Sequence, residues 1–467
     1  MAISPGAAPT ELGTQKIGSL LRQYAVPGII AQTAASLYNM VDSIYIGHIP
    51  GVGSAAISGL AVTFPLMNLS AAMGTLVGVG AMTIIAILLG QKNYEAARKV
   101  LSNVLTLNVI ISIIFSAVTL SFLDPILRFF GASDVTLPHA HAYMFIILIG
   151  NVVTHLYFGF NGLIRSSGHP RVAMNLTLFT VASNAILDPI FIFGLGMGIR
   201  GAALATVICQ VMALLYTLYF FSDKGRLLHF SRPLFQLDWR IARQSLAIGV
   251  GPFMMNAAAS MVSLFINQQL DKYGGDLAIG AYGIVNRLTM LFVMINMGFN
   301  QGLQPIAGYN YGARQYHRVK EVFILTAKWE VLVTTVCFLM SELIPRTVVS
   351  LFTNDPVLIG MAAHGLRVMN AGFALVGFGM VAGNFFQCLG MVRKSIFLSL
   401  TRQLLFLLPL IYTLPLFFQE TGVWVSFPIS DTFNVIISVV LIVQLFRKFD
   451  RLKDGESADI LGSTVKS

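Results

Sequence analysis

The chain has 467 residues, of which 56% are apolar and only 11% charged, against roughly 25% charged in an ordinary soluble domain. So little charge cannot cover a water-facing surface of this size, which excludes a soluble enzyme or binding module and implies a polytopic protein whose main partner is the lipid bilayer. The formal charge of +10 would suit nucleic acid, but the basic residues lie in short connections between apolar runs, where the positive-inside rule accounts for them, so no nucleic-acid partner is expected.

Residues 1–19 are polar and glycine-rich, without the pattern of a cleaved signal, and the first apolar run, from Leu20, reads as its own insertion signal. Runs long enough to cross about 30 Å of hydrocarbon fall near 20–46, 55–89, 100–123, 138–164, 172–193, 201–221, 244–270, 278–310, 319–341, 357–388, 395–418 and 423–446. The fold class expected is therefore all-α, with twelve transmembrane helices. Placing both termini in the cytoplasm puts 22 of the 30 Lys and Arg, including Arg232 and Lys466, in inner connections and tails. The outer loops then hold only Arg128, Arg200, Lys272 and Arg346, and one missed span would scramble that asymmetry. The expected location is the inner or plasma membrane, multi-pass.

The longest and most charged connection, 222–243, divides six spans from six. It reads as a cytoplasmic linker between an N-lobe, 1–221, and a C-lobe, 244–446, with a cytoplasmic tail, 447–467. The halves also repeat one another. Ala56-Ile57 matches Ala278-Ile279, Gly90-x-x-Asn-Tyr94 matches Gly312-x-x-Gln-Tyr316, and Gly168-x-x-Arg171 matches Gly390-x-x-Arg393, all 222 residues apart. Six spans per half give both halves the same topology, hence two six-helix lobes related by a pseudo-two-fold axis along the membrane normal, an arrangement suited to alternating access.

In the fifth span, Asn184-x-x-x-Asp188-Pro189 places an amide and a carboxylate one turn apart on one helix face, beside a proline that removes a backbone donor. An intramembrane carboxylate costs about 2.5–3.5 kcal/mol even on the cheapest scale, so an ion or proton site is the default reading and packing alone the bland one. Asp188 and Asp42 each lie about five residues, or ~8 Å, from an outer helix end, as do Tyr143 and Thr206 on the fourth and sixth spans. If the four converge with Asn184, they form an oxygen-only site suited to Na⁺ or to a proton shared between carboxylates. The C-lobe carries Arg287, Arg367 and Asp431 near mid-membrane, read as a structural Arg–Asp pair in preference to substrate binding. Arg402, and Lys328 with Glu330, are expected to snorkel or pair near inner helix ends.

On these residues the chain resembles the multidrug and toxic compound extrusion (MATE) family of antiporters, and within it the bacterial MepA-like branch. The resemblance runs from Asn39-Met-Val-Asp42-Ser-Ile-Tyr-Ile-Gly47 to Gly422-Val-Trp-Val-Ser-Phe-Pro-Ile-Ser-Asp431. Its most specific pieces are Asn184-x-x-x-Asp188-Pro189 and Gln301-Gly-Leu-Gln-Pro305-Ile-Ala-Gly-Tyr-Asn310-Tyr-Gly312-Ala. The resemblance implies a V-shaped twelve-helix fold and an N-lobe cation site at Asp42, Asn184, Asp188 and Thr206, with Tyr143 nearby, open to Na⁺. One branch of the family has a second site on acids of helices 7 and 10. The corresponding runs here, Pro252–Met261 and Arg367–Ala374, carry none.

Several other chemistries lack their signals. There is no G-x-x-x-x-G-K-[ST], so transport must run on an ion gradient. Gly78-x-Gly80 lies in an apolar run as a packing device. His139, His141, His155 and His364 have no metal-ligand spacing, and Cys209, Cys337 and Cys388 read as small core residues. Asn68-x-Ser70 and Asn175-x-Thr177 match the glycosylation pattern but fall within spans. The 20 Met and 34 Phe suit an adaptable cavity and lipid-facing core equally well. The function expected is a monomeric secondary-active exporter of organic cations or amphipathic compounds in exchange for H⁺ or Na⁺, with no cofactor, no resident metal and no enzymatic activity. The alternative is a lipid-linked or metabolite flippase of a related two-lobe fold. The polar tails, 1–15 and 450–467, are assigned no role.

Overall fold

In the computed structural model the residues described are 11–231, 235 and 237–456. Residues 1–10 and 457–467, with Arg232 and Lys466 among the basic residues assigned above, lie outside the described residues. After a short helix at Glu11–Thr14 come α1 (Ile17–Gly47), α2 (Gly53–Gly90), α3 (Tyr94–Ser121), α4 (Leu137–Ile149 and Asn151–Ser166), α5 (Pro170–Gly194) and α6 (Ile199–Ser222). These are followed by α7 (Trp239–Gly275), α8 (Leu277–Gly312), α9 (Tyr316–Leu343), α10 (Pro356–Asn370 and Phe373–Cys388), α11 (Val392–Thr413) and α12 (Pro415–Phe449). Among the described residues nine of these helices are singly long and apolar enough to cross a membrane, and α4 and α10 qualify as bent pairs. α1 spans 31 residues, roughly 46 Å at 1.5 Å per residue.

The bends in α4 and α10, 57° and 52°, were not visible in hydropathy, because a glycine inside an apolar run changes packing without changing polarity. At Gly150 a Cβ would meet Val207 at 2.5 Å, and at Gly372 one would meet Pro428 at 3.2 Å. The two glycines are 222 residues apart, the same interval as the sequence repeat, and the local geometry repeats with them. Lys92 and Arg314 both take a left-handed backbone, φ 60° and 59°, after their helices end, and so do Gly168 and Gly390 at 99° and 70°. Short helices at Leu123–Phe129 and Pro345–Val349 begin at the same interval. The internal repeat is thus a repeat of structure as well as of residues.

Two compact units divide the chain. Ile30–Phe253 forms one; Gln15–Ile29 and the described residues from Met254 onward form the other. The division runs through α1 and α7 rather than through the 222–243 connection, and glycine explains why on both sides. In the first unit, α7 crosses α2 so closely that a Cβ at Gly249 would stand 1.7 Å from the Leu76 carbonyl oxygen, and one at Gly80 1.9 Å from that of Ser245. In the second, a Cβ at Gly302 would lie 2.7 Å from the Ala25 nitrogen and one at Gly298 2.5 Å from Ile29 Cα. Such backbone approach is how small residues hold transmembrane helices together where lipid removes the hydrophobic incentive.

Each unit has its own apolar core. That of the first gathers Ile46, Leu66, Leu127, Tyr143, Met144, Ile192 and Ile199 from α1, α2, the short helix Leu123–Phe129, α4, α5 and α6. The second centres on Trp424, fully buried, with Tyr282 against it, Phe427 against Tyr282, and Gly365 giving the indole room.

Candidate functional site

α5 is regular as far as Pro189, then winds as a π-turn over Ile190–Gly194, with the Leu195 amide donating to the Ile190 carbonyl at 2.8 Å. Proline has no amide to donate, and the widened turn is how the helix absorbs that gap. Directly beyond it α6 begins, pressed so close that a Cβ at Gly201 would come within 2.7 Å of the Phe191 carbonyl. This junction fixes the rotation of α5 and keeps Asn184 and Asp188 turned inward, 4% and 0% exposed.

Both oxygens of Asp188 are engaged. Asn184 Nδ2 donates to Oδ1 at 2.7 Å, and the Tyr38 hydroxyl donates to Oδ2 at 2.8 Å. The carboxyl of Asp42, on α1, lies within hydrogen-bonding reach of Asp188. Its Oδ1 is buried with no hydrogen-bond partner. Tyr143 on α4, also buried, stands within electrostatic range of both acids. Asp42, Asn184, Asp188 and Tyr143 are therefore brought to one place.

Thr206 is the predicted member that no contact joins to them. Half-buried on α6, it donates its hydroxyl to the Ala202 carbonyl of its own helix at 3.0 Å. Sequence reasoning missed Tyr38, whose signal was available: it stands four residues before Asp42 and so shares its helix face. It also missed Cys209, buried within range of Asp188. Two carboxyls this close cannot both be ionised cheaply, so the arrangement is one that a shared proton or a small cation would relieve. The acceptors of the site are the oxygens of two carboxyls, a chemistry suited to H⁺ or Na⁺ rather than to a soft metal.

His155 belongs to a different, structural polar layer. Its Nε2 donates to the Ser70 carbonyl at 2.9 Å and its Nδ1 accepts from Ser112 at 2.7 Å, while Ser70 donates to Asn151 at 2.8 Å. These bonds tie α2, α3 and α4 together.

The C-terminal polar residues pair differently from expectation. Asp431 is held by Arg402, whose Nε donates at 2.5 Å, and Ser430 donates to the Arg402 carbonyl at 2.8 Å. Arg287 is exposed, and Arg367 is exposed and reaches only the Glu342 carbonyl. The cause is a second π-turn, Thr401–Leu407, which rotates Arg402 toward α12 in a way no ideal-helix projection anticipates. Lys328 and Glu330 do not pair: Lys328 is exposed, while Glu330 is fully buried at the middle of α9. Residues 450–456 fold against the start of α9 instead of trailing. Asp454 accepts the Tyr316 amide at 2.8 Å and pairs with His317, Gly455 accepts from Arg314, and Lys320 meets Asp450.

Comparison with known proteins agrees with this fold. The family described as MatE matches residues 27–190 and 252–413, one stretch in each half of the chain. The multidrug export protein MepA of Staphylococcus haemolyticus (strain JCSC1435) is 28% identical over 91% of this chain and 93% of its own. That of Staphylococcus aureus (strain N315) is 29% identical over 95% and 96%. Among solved structures, an outward-facing multidrug resistance MATE family transporter of the MOP superfamily superposes with a TM-score of 0.89 at 23% identity, covering 95% of this chain and 99% of the other. A MOP superfamily transporter from Pyrococcus furiosus gives the same values. With a membrane-spanning all-α fold, an internal repeat and a family match across both halves, the chain belongs to the MatE family of transporters.

Proposed function

We propose that this protein is a secondary-active exporter of amphipathic and cationic small molecules, driven by inward flow of H⁺ or Na⁺ through the Asp42–Asp188 site. The single observation that carries the reading is the contact between two buried carboxyls, one of which keeps an unpartnered oxygen. The names of its relatives, multidrug export proteins, support the substrate class.

Tyr38 and Asn184 hold Asp188 in place, and Tyr143 lines the same pocket of polar atoms. Filling the site with an ion offsets the repulsion within the pair and changes which packing of α1 against α5 is preferred. The coupling free energy is the ion's differential affinity for the two arrangements, whatever the drug. The reading places both termini in the cytoplasm of a monomer in the inner or plasma membrane. It takes 1–221 and 244–446 as the lobes that move and 222–243 as their linker.

The test is uptake of a fluorescent organic cation into everted vesicles with ΔpH and ΔNa⁺ imposed separately. Either gradient driving uptake that Asp188→Asn abolishes supports the reading. Uptake indifferent to both gradients, or transport confined to lipid-linked substrates, overturns it.

A further inference from the structure

Glu330 sits halfway along α9 with no exposed surface, and neither carboxyl oxygen has a hydrogen-bond partner of good geometry. An ionised carboxylate with nothing to offset it is among the costliest groups a protein interior can hold. Among the described residues its surroundings offer no cation. The runs facing it, residues 288–312 on α8 and 373–388 on α10, contain no Lys, Arg, His, Asp or Glu. On α9 itself Lys328 is exposed. On the neighbouring α12, Asp431 is taken by Arg402, and on the first half of α10, Arg367 reaches the Glu342 carbonyl.

What Glu330 does have is a polar chain leading away from it. The Asn300 side chain approaches it from α8. Asn384, on α10, donates Nδ2 to Asn300 Oδ1 at 2.9 Å, which leaves the Asn300 amide nitrogen as the group turned to the acid. Asn300 and Asn384 are half-buried where Glu330 is sealed, and beside Asn384 a Cβ at Gly383 would meet nothing within 4 Å. At the Glu330 backbone the packing is tight: a Cβ at Gly377 would lie 2.6 Å from the Glu330 carbonyl oxygen, and Thr334 donates to Ala374 O at 3.0 Å. The half-buried asparagines mark a route from the acid toward less enclosed surroundings.

Packing does not demand the charge. The repeat interval of 222 residues sets Glu330 against Asn108 in the other half, a fully buried neutral amide at the middle of α3.

We propose that Glu330, beside Asn300 and Asn384, is a second ion-coupling site, in the C-terminal unit, whose ligand is an exchangeable proton. The inference does not depend on the Asp42–Asp188 reading. In this arrangement the acid is neutral, and its proton leaves only when α8 and α10 shift to let water or the asparagine amides solvate the anion.

The test is infrared titration of the full-length protein in lipid nanodiscs, following the band of protonated carboxyl groups. Wild type, Asp42→Asn/Asp188→Asn, Glu330→Gln and the triple variant are compared. The expected result is a band in the double variant that exchanges with deuterium, titrates with pH, and disappears in the triple variant. Asn300→Ala should shift that band, because the carboxyl loses its amide neighbour, and it provides the readout should Glu330→Gln not fold. A band unchanged by Glu330→Gln and by Asn300→Ala, or one that never exchanges or titrates, overturns the proposal. A band abolished by Na⁺ at constant pH also overturns it, making the ligand Na⁺. Export that persists in the double variant would sink the proposed N-terminal coupling site without touching this band, so the two failures are distinguishable.

Discussion

Tyr38 and Asp188 are 150 residues apart in the chain, and the phenol of one donates to Oδ2 of the other across 2.8 Å. This bond links α1 to α5 at the place where Asp42 also meets Asp188. Any change in the charge of the carboxyl pair is therefore felt directly by the packing of α1 in the first unit.

Asp188→Asn is expected to abolish gradient-driven export while leaving an inserted, folded protein, and Asp42→Asn to do so to a similar or lesser extent. The amide keeps shape and hydrogen bonding but exchanges no proton and offers a cation no full charge. Because the substitution removes repulsion between two buried acids, thermal stability should hold or rise. Reconstituted Asp188→Asn exporting at the wild-type rate under the same gradient would show the pair to be structural.

Tyr38→Phe removes a donor from a buried acceptor and should cost about 1–3 kcal/mol. Its distinguishing effect is on coupling: the Tyr38 bond from α1 to the Asp188 carboxyl is lost while both acids remain, so gradient-driven export should fall while the folded yield holds. Export at the wild-type rate counts against a role for the phenol.

Gly249→Ala puts a methyl where the Leu76 carbonyl stands. The overpacking should cost at least about 1–3 kcal/mol, visible as a lowered melting temperature in detergent and reduced yield. Gly283→Ala, where a Cβ meets nothing within 4 Å, is the matched control and should be near neutral.

Arg402→Met should destabilise by about 3 kcal/mol, the low end for a broken buried pair because the arginine is partly exposed, since it leaves Asp431 alone in the core. Adding Asp431→Leu should recover much of the loss. Melting temperatures of the two singles and the double form the cycle, and additive losses would mean that the contact carries no coupling.

Asp454→Ala removes the side-chain cap on the Tyr316 amide and should cost about 0.5–2 kcal/mol. Limited proteolysis should then release the segment after Phe449 faster than in wild type. Unchanged cleavage would show that the clasp on α9 is held by its other contacts.

Hydropathy by itself determined the membrane-spanning all-α class and the extent of nearly every long helix, because a bilayer forces each crossing to be long, apolar and internally hydrogen-bonded. Matching residues in the two halves showed the 222-residue repeat, and polar residues within apolar runs brought Asp42, Asn184 and Asp188 forward, since a carboxylate there is too costly to be incidental. The tertiary structure decided what periodicity cannot encode. The bends at Gly150 and Gly372 arise from contacts with Val207 and Pro428, residues remote in sequence. π-turns break the ideal-helix projection, so Asp431 met Arg402 rather than Arg287 or Arg367. Whether an acid is paired, sealed or capping depends on which neighbour occupies the last few ångströms. Glu330, placed with Lys328 by sequence, is buried alone beside Asn300, and Asp454, read as part of a free tail, caps a helix 138 residues away.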